Sequence, residues 1–272
     1  FTGSYAVAVG SGAAVAATGA ANLTAVGKDA LGTCIGGASN TAVGVSALGG
    51  TDDGANNTAV GVAALDANCA DDNTAIGINA LSAFTGSNAT AVGSGAADVA
   101  VSNANITAIG FNALGSATSG GNNTAVGAQC LDGTINGVNN TAVGQGSLSV
   151  DCADNNVAVG TSALNAFTGS DATAVGSSSA AALTSGAGNT ALGYLSLATS
   201  INGINNTAIG RAALGNADCA NNNTGVGFEA LQVTTGSDNT AVGSEAGDHL
   251  VGAQRSTAVG AAALSAAWAD DN

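Results

Sequence analysis

The stretch Asn57-Thr58-Ala59-Val60-Gly61 recurs, with small changes, along the whole chain. Glycine closes each of its sixteen copies, and successive copies lie 16 or 17 residues apart. These glycines are Gly10, Gly27, Gly44, Gly61, Gly77, Gly93, Gly110, Gly127, Gly144, Gly160, Gly176, Gly193, Gly210, Gly227, Gly243 and Gly260. The period is too short for a pair of helices, and β-branched residues beside glycine and asparagine disfavour helix. The sequence therefore predicts an all-β fold, a parallel β-solenoid of about sixteen coils with two short strands and two corners per coil.

The residue types at each repeat position predict which side chains face the core. The residue before the glycine is Val, Ile or Leu in all copies, so we expect this row to point inward. Because side chains alternate along a strand, the residue three before the glycine, usually Thr, should share that inward face. Leu four residues after the glycine, as in Leu48, is expected to close the core from the second strand. Glycine permits one corner, and Asn four residues before it suits the other, where its amide can bond backbone or stack as a ladder.

Alanine lies two residues before the glycine in fifteen copies, and the sixteenth copy has Gly225. An outward row on a free surface should vary, so restriction to the smallest side chains predicts that another chain packs against this row. The expected partner is a further copy of the same chain, in a homo-oligomer that is a trimer or a filament. The predicted interface residues are Ala8, Ala25, Ala42, Ala59, Ala75, Ala91, Ala108, Ala125, Ala142, Ala158, Ala174, Ala191, Ala208, Ala241 and Ala258.

A longer period lies above the coil repeat. Phe1-Thr2-Gly3-Ser4 returns at residues 84–87 and again at residues 167–170. We therefore expect a single continuous solenoid, 1–272, with super-repeats 1–83, 84–166, 167–233 and 234–272. Sixteen coils about 4.8 Å apart would make a rod about 75 to 80 Å long. Neither end resembles a cap, so we expect this chain to be a segment of a longer one.

The charge balance narrows the range of partners. Three basic residues stand against eighteen acidic ones, for a net charge of -15. Nucleic acid is an unsuitable partner because binding phosphates needs clustered Lys and Arg. No stretch reaches the roughly 18 apolar residues of a membrane span, so we expect no membrane insertion. The acidity fits solubility and mutual repulsion between fibres.

Few residues suggest chemistry. His249 stands alone beside Asp248 and is expected to be an exposed corner residue, so the sequence predicts neither an enzyme nor a cofactor. Acidic pairs such as Asp52-Asp53 leave calcium binding as a minor alternative. The cysteines are expected to be small core residues, with lateral disulfides between chains as the alternative, and Trp268 takes the repeat position of Cys69. The five cysteines are Cys34, Cys69, Cys130, Cys152 and Cys219.

The repeat Asn-Thr-Ala-Val-Gly-x-x-Ala-Leu, together with Val7-Ala8-Val9-Gly10 and Val157-Ala158-Val159-Gly160, resembles the head repeats of trimeric autotransporter adhesins. Similar Asn-Thr-Ala-Val-Gly arrays occur in fibre proteins of bacteria and phages. The resemblance implies a left-handed parallel β-roll, three chains side by side, and an adhesive or fibrous role outside the cell. It also makes the alanine row a natural contact face between chains, with a surface glycan or host receptor as a further partner.

The leading hypothesis is an extracellular or cell-surface fibre segment with a structural or adhesive role. The first alternative is the shaft of a viral tail fibre, carried on a phage particle for host attachment. A remote alternative is an ice-binding protein. That function demands outward threonines, whereas the threonine row is expected to face inward with the aliphatic row.

Overall fold

The computed structural model describes residues 5–102, 104–216 and 218–265, and all regular secondary structure among them is β-strand. Every strand is short and falls on one copy of the repeat. The strands are β1 (Ala6–Val9), β2 (Leu23–Val26), β3 (Thr41–Val43), β4 (Thr58–Val60), β5 (Thr74–Ile76), β6 (Thr90–Val92), β7 (Thr107–Ile109), β8 (Thr124–Val126), β9 (Thr141–Val143), β10 (Val157–Val159), β11 (Thr173–Val175), β12 (Thr190–Leu192), β13 (Thr207–Ile209), β14 (Thr224–Val226), β15 (Thr240–Val242) and β16 (Thr257–Val259).

The chain divides into two compact units, Phe1–Asn139 with strands β1 to β8 and Asn140–Asn272 with strands β9 to β16. Within each unit, every strand pairs in parallel with the next one along the chain. The predicted parallel β-solenoid is confirmed. The handedness of the coil and the super-repeat boundaries stay predictions, and Phe1-Thr2-Gly3-Ser4 and Trp268 lie outside the described residues.

The prediction of two strands per coil is wrong for the described residues, because each coil contains one strand and closes through turns. Leucine lies in these turns with a left-handed backbone, for example at Leu48 with a φ of 51°. That conformation is incompatible with an extended strand. The turn side is still bonded from coil to coil, since the Leu48 N–H donates to the Ala64 carbonyl at 3.0 Å.

The repeat glycine forms the corner between the strand and these turns, as predicted. Gly44 has a φ of 143°, in a region that L side chains rarely adopt. A Cβ added there would lie 2.2 Å from the Gly61 carbonyl oxygen of the next coil. Glycine is therefore required both by backbone conformation and by the close approach of successive coils.

The predicted facing of the strands is wrong. In β4, Ala59 is buried, Thr58 is half-buried and the Val60 side chain is 37% exposed. Apart from Ala8 in the first strand, which is exposed, the predicted interface alanines are at most 1% exposed. These buried residues are Ala25, Ala42, Ala59, Ala75, Ala91, Ala108, Ala125, Ala142, Ala158, Ala174, Ala191, Ala208, Ala241 and Ala258. Because a side chain buried within its own chain cannot contact another one, the predicted alanine interface is corrected to a core row.

The small size of this row has an internal cause. A Cβ added at Gly225 would lie 3.4 Å from Leu214 Cγ and 3.0 Å from the Ala230 carbonyl oxygen. The row therefore faces the buried leucines of the turn side, and the narrow space between the two admits only alanine or glycine. The leucines close the core, as predicted, but from turns.

A buried asparagine ladder runs beside the alanine row. The Asn57 side chain is fully buried; its Oδ1 accepts from the Asn73 N–H at 2.9 Å, and its Nδ2 donates to the Ala70 carbonyl at 2.9 Å. The Asn57 N–H in turn donates to Asn40 Oδ1 at 2.8 Å. Of the two roles predicted for this asparagine, bonding of its amide to neighbouring backbone is confirmed, and the bonds run from coil to coil. Because this asparagine points inward, side-chain alternation places threonine outward, alanine inward and the aliphatic residue outward.

Candidate functional site

The outward side chains of the strands form two rows on each unit, which we call the Thr–aliphatic face. The threonine row is Val7, Thr24, Thr41, Thr58, Thr74, Thr90, Thr107, Thr124, Thr141, Val157, Thr173, Thr190, Thr207, Thr224, Thr240 and Thr257. The aliphatic row is Val9, Val26, Val43, Val60, Ile76, Val92, Ile109, Val126, Val143, Val159, Val175, Leu192, Ile209, Val226, Val242 and Val259.

Both rows are accessible to solvent. All members of the aliphatic row are half-buried or exposed. Among the exposed members inside the units, the exposed fraction runs from 36% at Val26 to 46% at Leu192. The threonine row is likewise half-buried or exposed. Inside the units, half of the aliphatic residues are exposed and the other half are half-buried, so the row is a candidate interaction surface.

The face is regular in two directions. Parallel pairing places Thr58 opposite Thr41 and Thr74, and Val60 opposite Val43 and Ile76. Neighbouring strands are about 4.8 Å apart, and the two rows are about 6.6 Å apart along each strand. Every member of both rows except Leu192 is β-branched, so its χ1 angle is restricted. Each unit thus presents a fixed grid of hydroxyl and methyl groups.

The face is also neutral. None of the sixteen strands contains a charged residue, although the chain carries a net charge of -15. The acidic side chains lie in the connecting segments, for example Asp71 and Asp72. Charge is therefore kept out of both rows along every strand.

A shallow trough separates the two rows. The residue between them points into the core at every strand from β2 to β16, as Ala59 does between Thr58 and Val60. The outer surface between the rows is therefore backbone, without an intervening side chain. The trough runs across the strands in the direction of the coil axis of each unit.

Sequence reasoning missed this face because it treated an invariant aliphatic row as core. The signal that would have located it is the asparagine four residues before the glycine, as at Asn57. Its amide points inward and bonds to backbone of the next coil. Because side chains alternate along a strand, the following three residues then point outward, inward and outward.

The remaining candidate residues lie apart from the face. His249 is an exposed corner residue, as predicted, with a side chain 60% exposed and Nδ1 3.0 Å from Asp248 Oδ1. Within residues 5–102, 104–216 and 218–265, no group of three or more His, Cys, Asp or Glu side chains is placed to hold a metal ion.

All five cysteines are buried, with at most 3% of each residue exposed. Burial raises the pKa of the Cys130 thiol to about 12, and it raises the pKa of Cys34, Cys69 and Cys219 in the same direction. The prediction that they are small core residues is confirmed. In the folded chain, these thiols are not accessible for lateral disulfides.

Comparison with known proteins adds no family: no protein-family model matches the chain, and no curated protein matches it. The resemblance to adhesin head repeats therefore stays a prediction. In the part of the chain that the structure describes, no helix is long and apolar enough to cross a membrane. Function has to be inferred from the solenoid and its Thr–aliphatic face.

Proposed function

We propose that this chain is a rigid segment of an extracellular fibre with a structural or adhesive role. The observation that supports it most is the coil-to-coil bonding of the whole repeat within each unit. Strand, turn and asparagine positions are each hydrogen-bonded to the equivalent region of the next coil. A chain bonded in this way extends by adding coils and resists bending.

The residue types support a structural role as well. Buried positions are filled by alanine, leucine and asparagine in fixed rows, so each coil stabilises its neighbours as in other repeat proteins. The excess of acidic residues keeps such a polymer soluble. Three basic residues in the whole chain leave few sites for trypsin-like proteases, which suits an exposed fibre.

The adhesive part of the proposal depends on the Thr–aliphatic face. It is a neutral surface on an acidic molecule, and it is repeated at every coil. A homo-oligomer or filament stays a prediction, and it would need a surface other than the buried alanine row.

Two measurements test the proposal. Electron micrographs of the purified chain should show each eight-coil unit as an elongated body about 38 Å along its coil axis, and units that are not elongated would contradict the proposal. Immunogold labelling of the native source, with antibody raised against the purified chain, should mark structures outside the cell. Label on virus particles would favour the phage-fibre alternative, and label confined to the cytoplasm would refute an extracellular role.

A further inference from the structure

The Thr–aliphatic face is more uniform than an exposed strand surface needs to be. Exposed strand positions normally vary and accept lysine, glutamate and aromatic residues. High strand propensity accounts for the β-branched residues, but aromatic residues share that propensity and are absent from both rows. The same uniformity continues in both units. We take it as a sign that a flat, neutral and periodic surface packs against this face.

The repeat of the face limits what that surface is. A contact that uses every coil must offer equivalent groups about every 4.8 Å along the coil axis and about 6.6 Å across it. An ordinary protein surface has no such period. The two remaining candidates are a second copy of this chain and a crystal lattice.

A second copy fits the face poorly. Eight strands about 4.8 Å apart and two rows about 6.6 Å apart give each unit a face of about 340 Å² with side-chain width included. The face of one unit therefore falls short of the roughly 800 Å² per partner of a standard interface. Closing the face would also withdraw the threonine hydroxyls from water, which costs free energy unless each finds a new partner.

We propose that the Thr–aliphatic face binds crystalline water, that is, the surface of ice. Each threonine offers a hydroxyl that both donates and accepts, beside a methyl group. The trough between the rows can hold a file of water molecules, bonded to one another and to the threonine hydroxyls. The aliphatic row lies on the other side of these water molecules and does not compete for their hydrogen bonds.

Pre-organisation makes such binding effective. Restricted χ1 angles and a bonded backbone hold the grid in place before contact, so little side-chain entropy is lost on binding. Absence of charge also favours an ordered lattice, since ionic groups hold their own hydration shells. The outward threonines remove the objection that sequence alone raised against ice binding.

The inference rests on the proposed rigid scaffold and names the ligand of its adhesive face. The purified full chain should show thermal hysteresis by nanolitre osmometry and should be enriched in a slowly grown ice hemisphere. A variant with Thr58→Tyr in the first unit and Thr207→Tyr in the second places a bulky ring on each grid. We expect this variant to lose most of the hysteresis of the unmodified chain, because each ring holds the neighbouring coils away from the ice lattice.

The matched control carries Thr118→Tyr and Thr168→Tyr. These exposed threonines lie in connecting segments outside the face, where their hydroxyls donate to the Ile135 and Thr184 carbonyls. The control should keep the hysteresis of the unmodified chain. Circular dichroism and micrographs of all three proteins report whether the solenoid of each unit is intact.

The possible results separate the two proposals. Elongated units without hysteresis or ice enrichment would overturn ice binding and leave the fibre proposal standing. An equal loss in the face variant and the control would also overturn it. Dimers or larger assemblies in sedimentation velocity that the face variant abolishes would assign the face to a second copy instead. A protein whose units are not elongated refutes both proposals.

Discussion

The strands bury alanine and expose the aliphatic residue, and this arrangement is tested most directly at two adjacent residues of β5. Ala75 is fully buried, whereas the neighbouring Ile76 is 41% exposed. Ala75→Leu inserts three carbon atoms into a space that the leucine row already fills. At the equivalent position in β14, even a single added Cβ would lie 3.0 Å from the Ala230 carbonyl oxygen. Overpacking of this kind typically costs 1 to 3 kcal/mol, and we expect about 3 kcal/mol here.

Ile76→Thr serves as the matched control on the opposite face. It keeps the β-branched shape and removes apolar surface that is already partly in water. Substitutions at such positions usually change stability by no more than about 0.5 kcal/mol. The opposite assignment, with aliphatic residues inside, predicts the reverse order, because Ile76→Thr would then bury a hydroxyl in the core.

Urea unfolding followed by far-ultraviolet circular dichroism measures both changes. The shift in midpoint should be read together with the slope, since a changed slope would show that a unit no longer unfolds cooperatively. The interpretation fails if Ala75→Leu leaves the midpoint unchanged while Ile76→Thr lowers it by the equivalent of about 2 kcal/mol or more.

Three further predictions concern the core and the corners. Asn57→Ala should lower the free energy of unfolding by about 2 to 3 kcal/mol, because the buried Asn73 N–H loses its acceptor. Hydrogen exchange at the Asn73 amide should become faster, and unchanged exchange would argue against the ladder. Gly61→Ala should lower the free energy of unfolding by more than about 3 kcal/mol, since φ is 140° and the new Cβ would lie 2.3 Å from the Gly77 carbonyl oxygen. A variant whose thermal unfolding temperature is unchanged would contradict this. Burial raises the pKa of the Cys130 thiol from 9.0 to about 12, so between these values the thiol is protonated in the folded chain and ionised in the unfolded chain. Its contribution to the free energy of unfolding is therefore present below pH 9 and is lost between pH 9 and pH 12. Urea midpoints across that range should fall less in Cys130→Ala, and an identical fall in both proteins would refute the role of this thiol.

The fold class could be predicted because it depends on the spacing of the glycines and on the strand preference of the residues beside them. Glycine at every 16 or 17 residues sets the length of the coil, and the Asn-Thr-Ala-Val segment next to it can only be extended. The buried leucines and the asparagine ladder could be predicted too, since each residue type suits one environment. The second strand could not, because the left-handed backbone at residues such as Leu48 is atypical of leucine and leaves no trace in residue type.

The sequence by itself determined the repeat, the corners and the pairing of like residues in rows. It also established that threonine and the aliphatic residue share one face, because alternation along a strand is a local property. Only the tertiary structure decided which of the two faces points inward. The reason is the width of the coil: a Cβ at Gly225 would already lie 3.4 Å from Leu214 Cγ and 3.0 Å from the Ala230 carbonyl oxygen, so the space beside the leucines holds an alanine but not a valine. The larger and more apolar row is therefore placed in solvent, and the candidate binding face of the protein is the one that hydrophobicity alone assigns to its core.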